Sequence, residues 1–156
     1  MKMLSITKSL AAATVALGMV AAGNAAAQEQ TVRVGTVSGP DAEVWQVVQK
    51  VAKKNGLNVK VVEFNDYVQP NAALDAGDLD ANSFQHQPYL DSQIKQRGYK
   101  MTSVGYTYIS PLGIYSNNLK SPKDLPQGAK VAVPNDPSNE NRALLLLAAQ
   151  GAIKLK

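Results

Sequence analysis

The densest run of polar and aromatic side chains is Phe84-Gln85-His86-Gln87-Pro88-Tyr89, placed where an extended stretch gives way to a helical one. In α/β folds that junction aims side chains into a cleft. His86 is the only histidine, and the sequence contains no cysteine, so the ligand set of a metal site and the base of a Cys–His nucleophile are both missing. No serine elbow is identifiable either, and neither catalysis nor a cofactor is expected. Tyr67, Phe84 and Tyr89 together with His86 suit an apolar pocket with polar edges, of the kind that grips a flexible uncharged side chain. Aromatic edges against polarisable sulfur are worth about 0.3 to 1.5 kcal/mol per contact. Spacing alone also allows these aromatics to be core packing and His86 to be a satisfied structural residue.

A second constellation lies in Asn135-Asp136-Pro137-Ser138-Asn139-Glu140-Asn141-Arg142, just before the run Leu144–Leu147. Asp136 is placed to cap a helix whose first turn holds Pro137. Arg142 then falls about one and a half turns in, with Asn139 beside it. Free helical N–H groups plus a guanidinium fork make a receptor for a carboxylate. The alternative is an arginine on a solvated helix face, where an ion pair contributes about zero to 1 kcal/mol. Asn135 and Asp136 read as turn and cap residues.

The elements that must position these groups follow from periodicity. Thr31–Val37 alternates as a strand, Ser38-Gly39-Pro40 turns, and residues 41–54 carry Val44, Val47, Val48 and Val51 at helical spacing before Asn55-Gly56. Residues 57–64 form a second strand, so the opening is a βαβ unit with parallel pairing and a right-handed crossover. A short helix spans 68–76, an extended piece follows at 79–84, and a helix covers 88–96 and stops at Arg97-Gly98. Tyr99–Ile109 alternates as a further strand, broken at Ser110-Pro111-Leu112-Gly113. Beyond it come a strand at Ala129–Val133, the helix capped by Asp136, and Ile153–Lys156 as the start of another strand. The fold class is α/β, organised as a first lobe over 28–110 and the opening of a second over 111–156. Two or three elements cannot cover both faces of a parallel sheet, so the second lobe is expected to be incomplete and the chain a fragment.

Residues 1–27 have the form of a secretory signal. Lys2 and Lys8 precede an apolar run from about Leu10 to Ala22, and Ala25-Ala26-Ala27 ends it. The run is shorter than the roughly 20 apolar residues that a membrane-spanning helix needs. Lys2 and Lys8 supply two of the four net positive charges, so the mature chain is only mildly basic, and no basic patch argues for nucleic acid. Without cysteine the exported fold is held by its core alone.

The stretches NDYVQPNAALDAGDLDANSFQHQPYLD, RGYK and KVAVPNDPSNENRALLLL resemble the methionine-binding NlpA lipoprotein family across essentially all of the mature chain. The resemblance implies a periplasmic-binding-protein-like (type II) fold of two α/β lobes that closes on a free amino acid. It implies a periplasmic solute-binding component of an ABC importer, which delivers L-methionine, or its D form, to a membrane permease driven by a separate ATPase. Membrane contact is then through the permease alone. In the family the positions matching Tyr67, Phe84, His86 and Tyr89 surround the methionine side chain, and those matching Asn139 and Arg142 take the amino-acid backbone. Two departures stand out: family members are lipid-anchored through a cysteine that this signal lacks, and they continue for about another lobe. A different small amino acid, a methionine-containing dipeptide and an inactive truncated product remain the rival readings.

From the alanine triplet and the missing cysteine, the mature chain is expected to begin at Gln28 and to be freely soluble in the periplasm. Intact mass spectrometry of the periplasmic fraction checks this, and a lipidated N-terminus would contradict it.

Overall fold

The computed structural model describes residues 30–156, so the signal segment read at 1–27 lies outside the described residues. Strand β1 (Thr31–Val37), helix α1 (Pro40–Lys54) and strand β2 (Asn58–Phe64) form the expected βαβ unit. β1 and β2 pair in parallel, from Thr31 opposite Asn58 to Val37 opposite Phe64. Helix α2 (Gln69–Asp75) leads to the short strand β3 (Ala81–Asn82), which lies parallel on the other side of β1. The order is therefore β2-β1-β3, with β1 central. Being covered on both sides explains the run Val34, Gly35 and Thr36, all buried. Helix α3 (Gln87–Arg97) follows, ending at Gly98, whose φ of 75° is the left-handed conformation that a glycine adopts without strain. A 3-10 turn at Pro122–Asp124 and helix α4 (Pro137–Ala149) complete the regular structure.

Helix α1 begins with Pro40 and carries Asp41 and Glu43 in its first turn and Lys53 and Lys54 in its last, charges that complement the helix dipole. Its docking differs from the sequence expectation. Val44, Val47 and Val51 are 43%, 59% and 53% exposed, whereas Ala42 is buried and Trp45, Val48, Gln49 and Ala52 are half-buried. At 3.6 residues per turn the three exposed valines lie on the far side from that second stripe. The small Ala42 allows close approach to the sheet, and Gln49 Nε2 donates to Val59 O at 2.9 Å, tying this side of the helix to β2.

The segments 99–109 and 129–133, expected as strands, are irregular. Val104, Tyr106 and Ile109 are each about nine-tenths exposed. An alternating pattern predicts which faces a strand would have, but ladder hydrogen bonds need a neighbouring strand, and none lies alongside these segments among the described residues. Residues 153–156 likewise form no strand.

The turn region beside β3 is fixed by buried polar groups. Asn71 is fully buried on α2; its Nδ2 donates to Gln85 Oε1 at 2.8 Å, while its Oδ1 accepts from Asn82 Nδ2 at 2.9 Å and Gln85 Nε2 at 2.7 Å. Thr36, also fully buried, donates from Oγ1 to Ser83 O at 2.9 Å, and Ser83 N donates to Gly35 O at 2.9 Å. Gly35 leaves no room for a side chain: an added Cβ would lie 2.5 Å from Leu79 Cδ1 and 3.2 Å from the Phe64 ring. At the opposite end, Arg33 pairs with Asp80 at 2.9 Å and holds that carboxyl down to about 2. Both are well exposed, so the pair serves register more than stability.

Asn71→Ala strands the amides of Asn82 and Gln85. At about 1 to 3 kcal/mol for a buried group left unpaired, the variant is expected to lower unfolding stability by about 2 to 3 kcal/mol. Urea denaturation checks this, the midpoint falling with an unchanged slope.

Candidate ligand-binding site

Because the three strands run parallel, their carboxyl ends point the same way, and the loops leaving them share one edge of the sheet. Tyr67 sits three residues past β2. Asp66 Oδ1 accepts from Val68 N at 2.8 Å and Gln69 N at 2.9 Å, and the Gln69 side-chain amide donates to Asp66 Oδ2. The bond from Gln69 N contributes most to holding the Asp66 carboxyl below its ordinary range. This local turn fixes the backbone that presents Tyr67.

Phe84 and His86 follow β3 on an extended course, with His86 at φ −90° and ψ 158°. Ser83 is tied to β1 through its backbone, and the side chains of Asn82 and Gln85 both bond Asn71, which anchors the chain on either side of Phe84 and just before His86. Tyr89, in the first turn of α3, is buried; its ring meets Tyr67 edge-on at 5.5 Å and Phe84 edge-on at 6.2 Å. Its hydroxyl donates to Tyr67 O at 3.1 Å, and burial pushes it up to about 12. Tyr89 is thus part of the core, as the packing reading has it, while Tyr67, Phe84 and His86 remain half-buried.

The residues from α4 complete the cluster. Asp136 caps the helix, its Oδ1 accepting from Asn139 N at 3.0 Å, as expected from sequence. Tyr67 Oη donates to Asp136 Oδ2 at 3.2 Å, and Arg142 Nη1 donates to Asn139 Oδ1 at 3.0 Å. All six candidates, Tyr67, Phe84, His86, Tyr89, Asn139 and Arg142, are therefore brought to one region. Arg142 is half-buried and, among the described residues, forms no ion pair. His86 Nε2 is buried with no hydrogen-bond partner among the described residues. Sequence reasoning missed Asn71, Gln85 and the outward role of Asp136; the buried state of an asparagine has no local signature.

A separate hollow of about 580 Å³ lies between residues 112–134 and the apolar side of α4, lined by Leu112, Leu125, Val133, Ala143 and Leu147 among others. None of the six candidates lines it. No group of three or more potential metal-ligating side chains occurs among the described residues. The cluster offers aromatic faces, a buried imidazole nitrogen without a partner among the described residues and a guanidinium bonded to Asn139.

The imidazole of His86 is held below its ordinary value of 6.5, first by burial and then by the Arg142 charge, with Asp136 acting the other way. The unfolded chain therefore binds the proton more tightly than the folded one. His86's contribution to stability is present in full above its unfolded value of about 6.5 and is lost as the pH falls through the lower folded value. Because His86 is the only histidine, its ring proton resonances report this titration without overlap. Arg142→Ala is expected to move the midpoint upward in such an NMR titration.

Several known proteins are similar to this chain. The family model for NlpA lipoprotein matches residues 32–156. The D-methionine-binding lipoprotein MetQ of Salmonella typhi is 51% identical over 153 residues, covering 96% of this chain and 56% of the relative. MetQ of Escherichia coli K12 is 52% identical over 141 residues, covering 90% of this chain and 52% of its own. Among solved structures, a nutrient-binding protein from Burkholderia cenocepacia bound to methionine is 82% identical, with a TM-score of 0.77 over 80% of this chain and 52% of that one. The crystal structure of the methionine-binding protein MetQ is 54% identical with a TM-score of 0.78, over 81% and 52% respectively. The chain thus spans about half the length of the relatives it matches, and it belongs to the NlpA lipoprotein family.

Proposed function

We propose that this chain is the methionine-binding part of a periplasmic solute-binding protein that serves an ABC importer, handing its ligand to a membrane permease and its ATPase. The observation that carries the reading is Arg142. It is half-buried in the second turn of α4, spends one N–H on Asn139 and has no acidic partner among the described residues. A partly desolvated guanidinium gains from an anionic partner, and an amino-acid carboxylate supplies one.

In this reading Tyr67, Phe84, His86 and Tyr89 hold the thioether side chain, and Asn139 and Arg142 hold the backbone end. No covalent step is involved. The names of the MetQ relatives and the methionine in the Burkholderia structure support the choice of ligand. We divide the chain at 110/111 into a first lobe and the opening of a second, with the ligand between them. The relatives are named lipoproteins, whereas this sequence has no cysteine to carry a lipid; on that ground the proposal is a periplasmic protein that is not anchored in this way.

Isothermal titration with methionine tests the reading, and a parent protein that takes up no methionine would overturn it. Binding should favour methionine over lysine or glutamate, since burying an unpaired side-chain charge costs several kcal/mol. Arg142→Ala should weaken binding by about 1.5 to 3 kcal/mol, roughly 10- to 150-fold, with little change in melting temperature. Equal affinity in variant and parent would return Arg142 to a solvated helix face. The same substitution at the matching arginine of a relative of full family length provides the parallel measurement.

A further inference from the structure

A helix cap needs one acceptor, and Asp136 offers two. The residue is 8% exposed. Its Oδ1 meets the capping demand, accepting from Asn139 N at 3.0 Å and Ser138 Oγ at 2.6 Å. Its Oδ2 takes two further donors that capping does not explain: Asn139 Nδ2 at 3.0 Å and Tyr67 Oη at 3.2 Å, the latter from 69 residues away in sequence.

The bond to Asn139 Nδ2 decides more than one contact. A carboxylate accepts only, so it selects the NH₂ end of the Asn139 amide and turns the carbonyl end outward. That carbonyl is the acceptor for Arg142 Nη1. With the amide flipped, NH₂ would face the guanidinium, donor against donor. Tyr67, on the same Oδ2, carries the ring that stacks edge-on against Tyr89. One buried oxygen therefore touches both halves of the cluster.

We infer that Asp136 is a positioning residue for the ligand site: its Oδ2 orients the Tyr67 phenol and the Asn139 amide, and through Asn139 the Arg142 guanidinium, holding the side-chain pocket and the carboxylate receptor at a set separation. The inference rests on the methionine-binding reading above. It differs from capping in what it asks of each carboxylate oxygen.

Asp136→Asn separates the two roles, because asparagine caps helices about as well as aspartate but offers an NH₂ in place of one acceptor. The expected result is a methionine Kd raised at least about tenfold by isothermal titration, with a fall in melting temperature smaller than the one produced by Asp136→Ala, which removes the cap as well. Tyr67→Phe, which removes the donor alone, should also weaken binding, and the double variant should lose less than the product of the two single effects. An unchanged Kd in Asp136→Asn overturns the inference, as does a loss of affinity matched by a comparable loss of stability.

Should the parent bind no methionine, the functional reading fails first, and the coupling is judged in the unliganded protein. The Tyr67 phenol is held above its ordinary value by burial and then by Asp136. In ¹³C-tyrosine NMR, with Tyr67→Phe assigning the resonance, Asp136→Asn should bring that titration downward. An unmoved Tyr67 titration overturns the positioning role independently of any ligand.

Discussion

A primary amide sealed from water must find partners for its two donors and its carbonyl or forfeit their hydration. Asn71 is in that position, and it finds its partners in Asn82 and Gln85. Much of the site's geometry follows. The bonds to Asn82 and Gln85 hold the chain leaving β3 against α2, bracketing Phe84 and ending one residue before His86. The pocket wall is aimed from behind, by groups that never line it.

The same arrangement explains why electrostatics at the site are set by a few groups. Asp136 sits among four donors, and Arg142 stands close enough to depress His86 without pairing to an acid. Such a region keeps one positive charge unmatched by a neighbouring carboxylate while satisfying the negative charge beside it. That asymmetry is what an anionic group entering the cluster would meet, and it arises from hydrogen-bond geometry more than from the net charge of +4 over the whole sequence.

Local signals were legible wherever the physics is local. The strand at 31–37, the helices now placed at Pro40–Lys54, Gln69–Asp75, Gln87–Arg97 and Pro137–Ala149, and the cap at Asp136 follow from periodicity, proline and capping chemistry, each settled within a few residues. What failed depends on a partner elsewhere. The valines of α1 carry a helical period but not the information that Ala42 and Gln49 would meet β2 first. Segments 99–109 and 129–133 carry strand alternation, yet alternation supplies no second strand to bond. Of the candidate site, the six side chains that meet in one region were singled out by residue type, placing and family resemblance, whereas the second oxygen of Asp136 and the burial of Asn71 are properties of long-range contact, 69 and 14 residues apart in sequence.

Gly35 lies in the middle of β1, away from the six site residues, with the Phe64 ring and Leu79 occupying the space where a side chain would begin. Phe64 ends β2, and the chain runs from it through Asn65 and Asp66 directly into Tyr67. A methyl group at position 35 would press first on the end of the Leu79 side chain and then on the Phe64 ring, so one of these two must give way before the middle of β1 could carry any side chain there.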